Sequence, residues 1–215
     1  MTGANTTGRD ILLSVKASAG TGSNELRLPV GSPIRAFLRP VATRAESLNY
    51  EDIQRLTDWR NRFSVAFLTE FIATYDRTAQ WLTDVVGPAD NKILFMVDDL
   101  EGRTFGQMGL ASINWTILSG EADAVIRGEK APPLLMALAE SAMLDWAHDG
   151  LGLRTIVARV RSDNEAALKF NRLVGFHETG HVPLRLTIEG GETHWVEDTS
   201  IESPEIYVVY LEYCG

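Results

Sequence analysis

The chain has 215 residues, a formal net charge of −9 and a sequence pI near 4.9. This excess of acid argues against a general nucleic-acid-binding protein, which needs a basic face to release counterions from phosphates. Apolar residues make up 45% of the chain, enough for one large core, and no run of them is long enough for a membrane helix. A single cysteine, Cys214, excludes an intrachain disulfide framework and a cysteine-rich zinc site. Because the N-terminus lacks a signal-peptide pattern, we expect a cytoplasmic protein.

The first part of the chain is predicted to be an extension. Residues 1–10 and 18–24 are rich in Thr, Gly, Ser and Asn, as is typical of irregular chain, and Ile11–Val15 between them predicts one short strand. From Ile34 onward apolar residues become dense. We therefore expect an N-terminal extension at residues 1–33 and one domain at residues 34–215, since neither a repeat nor a linker divides the remainder.

The first half of the domain mixes strand and helix patterns. Ile34–Leu38 predicts a strand that Pro40 closes, and Leu48–Asn61 predicts a helix. A second helix at Thr78–Val86 ends at Gly87-Pro88. Three strands are then predicted, at Ile93–Val97, Gly106–Trp115 and Ala122–Ile126.

The second half begins with the most regular helix pattern of the sequence. Apolar residues recur at the spacing of one helix face, at Leu135, Leu138, Ala139, Ala142, Met143 and Trp146. Thr155–Val160 predicts a strand, and Ser162–Glu165 has the form of a capping box that opens a short helix. Strands near Leu184–Ile188 and Ile206–Leu211 complete the pattern, which predicts an α/β fold with a mixed sheet flanked by helices.

Four segments of the second half occur in an order and spacing found in a known family. They are Asp145-Trp146-Ala147, Leu151-Gly152-Leu153, Val160 to Ala167, and Val174-Gly175-Phe176. These segments resemble the GNAT superfamily of N-acyltransferases. Trp59-Arg60-Asn61 is similar to the branch that contains ribosomal-protein N-terminal and amino-sugar acetyltransferases. The resemblance covers about residues 34–180.

The resemblance implies the GNAT fold, in which a mostly antiparallel central sheet contains one splayed parallel strand pair. It also implies acetyl-CoA, or another short acyl-CoA, as co-substrate, and no metal. The splayed strands would be those around Ala124-Val125 and Thr155–Val160, and a backbone N–H of the first would hold the thioester carbonyl. The residues implied in cofactor binding are Val125, Ile126, Arg127, Gly128, Lys130, Asn164 and Asn171.

The chain departs from the family pattern at two places that concern catalysis. The family's pyrophosphate loop has glycine and a small residue where this chain has Lys130 and Pro132, and proline lacks the N–H that can bind phosphate. Asn171 stands where many relatives have a tyrosine; as a candidate catalytic residue it can donate a hydrogen bond but cannot deliver a proton. The candidate general bases are carboxylates near the predicted active strand, namely Glu121, Asp123 and Glu129.

The candidate acceptor-binding residues are Arg60 and Asn61, at the end of the first helix, and His194. For Arg60 and Asn61 a plain helix end is the favoured explanation, whereas for His194 a hairpin turning at Glu189-Gly190-Gly191 explains the residue equally well. The stretch that begins with Arg127-Gly128-Glu129 is similar to a subgroup associated with surface-sugar pathways. We therefore expect a small-molecule amine acceptor, first a nucleotide-linked amino sugar and next a protein N-terminus. A homodimer is left open, and neither nucleic acid nor a membrane is expected as a partner.

Two other functions compete with acyl transfer. His177–His181 matches H-E-x-x-H, the zinc-protease pattern, which would make the chain a zinc hydrolase. Gly180 and Val182-Pro183 favour extended chain instead, in which the two histidines lie roughly 13 Å apart, too far to share a metal. A non-catalytic acyl-CoA-binding or scaffold domain would explain the altered phosphate loop and the missing tyrosine, and turnover of acyl-CoA separates it from an enzyme.

Overall fold

The computed structural model describes residues 7–214, and the strands in that range form one sheet. In chain order these strands are β1 (Leu28–Val30), β2 (Ala36–Pro40), β3 (Thr69–Glu70), β4 (Ile93–Asp99), β5 (Thr104–Asn114), β6 (Ser119–Arg127), β7 (Thr155–Arg161), β8 (Phe176–Glu189), β9 (Glu192–Glu197) and β10 (Tyr207–Tyr213). Their order across the sheet is β1-β2-β4-β5-β6-β7-β10-β8-β9-β3. Neighbouring strands are antiparallel except β6 and β7, which confirms the predicted mixed sheet with one parallel pair.

Helices cover both faces of this sheet. They are α1 (Gly8–Ser18), α2 (Tyr50–Arg62), α3 (Tyr75–Trp81), α4 (Leu135–Asp145) and α5 (Glu165–Val174). Helices α3 and α4 each continue into a π-helical turn, at Leu82–Val86 and Trp146–Gly150. In residues 7–214 no helix is long and apolar enough to cross a membrane.

The sheet separates two apolar cores. Alternate residues of β4 point into different cores: Phe95 packs with α1, α4 and α5, whereas Leu94 packs with α2 and α3. Both side chains are buried, and burial of each contributes roughly 1.5–3 kcal/mol. Because both faces are covered, β4 is apolar over nearly its whole length instead of alternating with polar residues.

The N-terminal segment differs from the sequence-based expectation. Ile11–Val15 lies in helix α1 and not in a strand, because Thr7 caps the helix reciprocally with Asp10. Leu12 and Val15, three residues apart, are then buried on the same helix face. Residues 7–33 thus contribute α1 and β1 to the same core and sheet as the rest of the chain.

The other predicted elements are present with small shifts in their bounds. The helix predicted at Leu48–Asn61 is α2, whose N-cap Asn49 accepts a hydrogen bond from the Asp52 amide. The hairpin between β8 and β9 turns at Gly190-Gly191, which both have positive φ as a two-residue turn requires. The capping residue of α5 is Asn164 and not Ser162, because the Ser162 hydroxyl accepts instead from the Tyr207 amide, at 3.0 Å.

Candidate active site

The parallel strands β6 and β7 separate in the middle of the sheet. Their ladder ends at the pair Glu121–Val157, although β6 continues to Arg127 and β7 to Arg161. Beyond that pair, backbone groups of each strand that face the other have no ladder partner across the gap. The splay is therefore a place where an extended ligand can insert and use backbone hydrogen bonds.

A bulge in β6 lies beside this gap. The register with β5 shifts between Asp123 and Ile126, and Ala124 within the bulge has φ 56°, a conformation that non-glycine residues rarely adopt. Val125 packs toward the core formed with α4, whereas Ile126 packs toward the core formed with α2. The predicted cofactor residues Val125 and Ile126 thus flank the gap with their side chains on opposite faces.

The loop that follows β6 is fixed by Trp59 of α2. A Cβ atom at Gly128 would lie 1.9 Å from the Trp59 ring, so glycine is required there by packing. The Glu129 carboxylate accepts a hydrogen bond from Trp59 Nε1 at 3.3 Å and lies 3.8 Å from Arg62. Glu129 is thereby occupied in holding the loop, which lies beyond the end of β6 and away from the other candidate bases.

The approach to α4 carries positive charge but few backbone donors. Arg127 and Lys130 are both exposed in this segment. Pro132 and Pro133 lie before the helix, which begins at Leu135, and proline provides no N–H. Phosphate at this helix end would therefore depend on the two cationic side chains more than on a glycine-rich loop.

The two candidate asparagines lie on α5. The Asn164 side chain accepts a hydrogen bond from the Ala167 amide at 3.1 Å, which caps the helix. Asn171 is buried and donates from Nδ2 to the Ala167 carbonyl at 2.9 Å. Both side-chain amides therefore bond to their own helix, and Asn171 has no group with which to relay a proton along this contact.

The two remaining candidate bases, Glu121 and Asp123, project from β6 on the same face, because they are two residues apart. Glu121 accepts two hydrogen bonds from Arg159 of β7, at 2.8 and 3.1 Å, across the mouth of the splay. The side chain of Asp123 is 49% exposed, and its nearest cation is Lys92 at 4.0 Å. Asp123 is thus the less engaged carboxylate, immediately before the bulge.

An open cavity of about 460 Å³ lies on this same face of the sheet. Its lining residues are Leu68, Thr69, Arg159, Leu184, His194, Trp195, Val196 and Glu197. Arg159 connects the cavity to the splay through its pair with Glu121, and His194 lies in the wall formed by β9. The cavity therefore lies beside the gap between β6 and β7.

Arg60 and Asn61, predicted to line the acceptor site, hold residues 63–74 against α2. Asn61 bonds to both the amide and the carbonyl of Ala73. Arg60 donates to the Thr69 carbonyl and stacks on Phe67, and burial lowers its pKa to about 10. Both residues therefore act on the cavity indirectly, by positioning the segment that contains its lining residues Leu68 and Thr69.

Several residues at this face were not predicted from the sequence. Arg159 and Glu197 line the cavity, and Tyr210 of β10 donates its hydroxyl to Glu197 at 2.5 Å. Burial and this contact with Glu197 raise the pKa of Tyr210. One indication was available in the sequence: Arg159 alternates with the core residues of β7 and therefore had to face away from α4 and α5.

The H-E-x-x-H pattern lies in β8, as the sequence predicted for an extended segment. His177 Nδ1 is 3.3 Å from Cys214 Sγ, while His181 packs edge-on against the Tyr207 ring. Among residues 7–214, no group of three or more His, Cys, Asp or Glu side chains is arranged to hold a metal ion. The helical geometry of a zinc protease is therefore not adopted by this segment.

Comparison with known proteins gives the family of this architecture. The family model described as "Acetyltransferase (GNAT) domain" matches residues 35–177. No curated protein matches the sequence significantly.

Solved structures share the fold at low identity. A chimera of spermidine N-acetyltransferase SpeG from Vibrio cholerae and hSSAT is 18% identical with a TM-score of 0.63, over 83% of this chain and 95% of that one. Spermidine N-acetyltransferase from Vibrio cholerae in complex with CoA and spermine is 17% identical with a TM-score of 0.60, over 83% of this chain and 94% of that one. The splayed parallel pair, its bulge and the family match over most of the sequence lead to one conclusion: the chain belongs to the GNAT acetyltransferase family and is an acyl-CoA-dependent N-acetyltransferase.

Proposed function

We propose that this protein transfers an acetyl group from acetyl-CoA to the primary amine of a small cationic molecule. The observation that carries the proposal is the parallel ladder of β6 and β7, which ends at Glu121–Val157 although both strands continue. The gap opens toward α4 and α5 on one face and toward the cavity of about 460 Å³ on the other. One substrate can therefore approach from each face and meet the other in the plane of the sheet.

The residues on the α4 and α5 face suit coenzyme A. Ile126 pairs with Gln107 of β5, so in this proposal it is the backbone of β6 at Val125, past the end of the ladder with β7, that would bind the amides of pantetheine. One N–H there would stabilise the oxyanion, a contribution of about 3 kcal/mol. Arg127 and Lys130, exposed before α4, supply positive charge for the pyrophosphate. For Gly128 the structure shows packing on Trp59 and no feature specific to phosphate binding. Asn164 adds a polar group at the start of α5.

Asp123 is the residue we assign as the general base. It is exposed, it precedes the bulge that borders the gap, and its only ion-pair contact among the described residues is the one with Lys92 at 4.0 Å. Glu121 accepts hydrogen bonds from Arg159 through both oxygens and Glu129 accepts one from Trp59, so each of these carboxylates already has a donor, whereas Asp123 has none within residues 7–214. Asn171 retains at most a binding role, and the leaving thiolate, with a pKa near 8.5, needs only modest help from an acid.

The charge of the open face favours a cationic acceptor. Asp123, Glu121 and Glu197 lie along it against one arginine, Arg159, which pairs with Glu121, and the whole chain carries a net charge of −9. A negative electrostatic field attracts cationic amines and repels the diphosphate group of a nucleotide sugar. It therefore does not favour the nucleotide-linked amino sugar that the sequence resemblance implied. Polyamines, which the solved relatives named above acetylate, belong to the favoured class; a protein N-terminus is the runner-up.

The first test is thermal unfolding with acetyl-CoA, free CoA or no ligand, followed by mass spectrometry of three acceptors with acetyl-CoA. Saturation at 100 times Kd should stabilise the fold by about 2.7 kcal/mol. The acceptors are spermidine, a nucleotide-linked amino sugar and a peptide with a free N-terminus, and we expect acetylated spermidine. Stabilisation without transfer to any acceptor would favour the scaffold alternative, and transfer to the amino sugar alone would refute the charge argument.

The assignment of Asp123 is tested separately with Asp123→Asn. We expect kcat to fall about 100-fold at pH 7, with the KM for acetyl-CoA nearly unchanged, because only proton transfer is lost. Glu129→Gln is the matched control and should retain kcat within about threefold, because the Glu129 side chain accepts a hydrogen bond from Trp59 in the loop beyond β6. If Asp123→Asn keeps full activity, the general base is another group. That result would leave the proposed acetyl transfer itself unaffected.

A further inference from the structure

The wall of the open cavity is joined to the start of α5 by one buried arginine. Arg161 is the last residue of β7 and its side chain is only 6% exposed. The guanidinium donates to both oxygens of Asp163, at 3.0 and 2.7 Å, and to Glu70 at 2.9 Å. The guanidinium also stacks over the Trp195 ring, with its carbon atom 4.4 Å from the ring centre.

These partners belong to three elements that have no apolar core in common. Glu70 is in β3, Trp195 is in β9, and Asp163 is in the turn immediately before the cap residue Asn164. Trp195 strengthens the group by donating Nε1 to Glu70 at 3.0 Å, and its backbone amide bonds to the Leu68 carbonyl at 2.7 Å. Arg161 therefore contacts both the cavity wall and the turn that precedes α5.

We propose that Arg161 is a positioning residue that couples the two substrate sites, so that coenzyme A bound at the start of α5 orders the cavity wall formed by β3 and Trp195. This inference rests on the proposed binding of coenzyme A near Asn164. Ligand contact that fixes the 162–164 turn fixes Asp163, whose two hydrogen bonds orient the guanidinium. The same guanidinium then holds Glu70 and Trp195, and the acceptor meets a preformed wall.

Four charge-assisted hydrogen bonds and one stacked ring depend on the planar fork of arginine. A lysine ammonium at this position could not reach Asp163, Glu70 and the Phe67 carbonyl together. Arg185 offers a matched control, because it forms a similar pair with Asp198 at 2.8 Å on the neighbouring part of the sheet, away from α5.

The test is hydrogen–deuterium exchange of the whole protein with and without saturating free CoA. In the wild type and in Arg185→Met, CoA should slow exchange of the amides of residues 68–70 and 193–196 by at least about fivefold. In Arg161→Met this slowing should vanish, while the Kd for CoA changes less than about threefold. Glu70→Gln, which keeps the shape of the side chain, should reduce the CoA-dependent slowing of exchange in the same way. It replaces Arg161→Met as the test variant if Arg161→Met does not fold.

The outcomes separate the two proposals. If CoA slows exchange at residues 124–131 and 164–168 but not at the cavity wall, or if both variants keep the wild-type slowing, the coupling by Arg161 is refuted. If CoA changes exchange nowhere in the wild type, the cofactor site itself is refuted and the coupling falls with it.

Discussion

Glu140, in the middle of α4, gives the sharpest stability test because its carboxyl group is buried without compensation. Its side chain is 0% exposed, one helical turn from the buried residues Met136 and Met143. Within residues 7–214 neither carboxyl oxygen has a hydrogen-bond partner. Burial raises the pKa of Glu140 from its ordinary 4.5 to about 8, so the group is protonated in the folded protein at neutral pH.

The direction of the pH effect follows from this raised pKa. Between pH 4.5 and 8 the folded state retains a proton that the unfolded chain has lost, so stability decreases as pH rises, by about 1.4 kcal/mol per pH unit. The contribution is complete below pH 4.5 and lost above pH 8, a total of about 5 kcal/mol. Glu140→Gln mimics the protonated carboxyl group and removes this dependence.

Urea unfolding at pH 5, 7 and 9 measures the effect. The wild type and Glu140→Gln should differ little at pH 5, whereas at pH 9 the variant should be more stable by several kcal/mol, about 5 at most. Glu165→Gln, at an exposed position on α5, should leave the wild-type pH dependence unchanged. Parallel curves for the wild type and Glu140→Gln from pH 5 to 9 would show that Glu140 titrates normally, and would refute the reasoning.

Two further predictions concern packing and buried charge. Gly128→Ala places a Cβ atom 1.9 Å from the Trp59 ring, so we expect a loss of about 1–3 kcal/mol in urea unfolding and weaker CoA binding; Gly180→Ala, which meets no atom within 4 Å, should be nearly neutral. Arg39→Met removes the guanidinium that bonds to Asp52 at 2.7 and 2.9 Å and to Asp98 at 2.5 Å. The buried Asp52 would then keep Arg55, at 3.8 Å, as its ion-pair partner among the described residues, and the buried Asp98 would keep the Thr104 hydroxyl as a donor. We expect the free energy of unfolding, measured in urea, to fall by about 3–5 kcal/mol. Unchanged stability would show that Asp52 and Asp98 do not depend on Arg39.

The elements that could be predicted are those set by local pattern. The apolar stripe from Leu135 onward and the double glycine at Gly190-Gly191 each specify one local structure, and both occur where expected. Ile11–Val15 failed as a strand because its run of apolar residues has no clear period. The capping box of Thr7 and Asp10, three positions apart, was the available sign of a helix.

The roles of the candidate site residues depend on contacts between distant parts of the chain, which a local pattern does not encode. Gly128 was expected as a phosphate-loop glycine; its packing requirement comes from Trp59, and the same indole donates a hydrogen bond to Glu129. Arg60 and Asn61 were placed at the acceptor, and they act through the backbone of residues 63–74. In each case the contact partner is set by the tertiary structure, which the local sequence does not reveal.

The choice among the three carboxylates illustrates what the register of the sheet adds. From the sequence, Glu121 and Asp123 are two acids near the predicted strand Ala122–Ile126, and nothing there distinguishes them as bases. The parallel register then aligns Glu121 with Val157, which brings Arg159, two residues on, within reach of Glu121. Asp123 is past the end of the ladder, where β7 has moved away and no arginine of that strand can neutralise it. The divergence that we propose admits the thioester therefore also leaves one carboxylate available beside it.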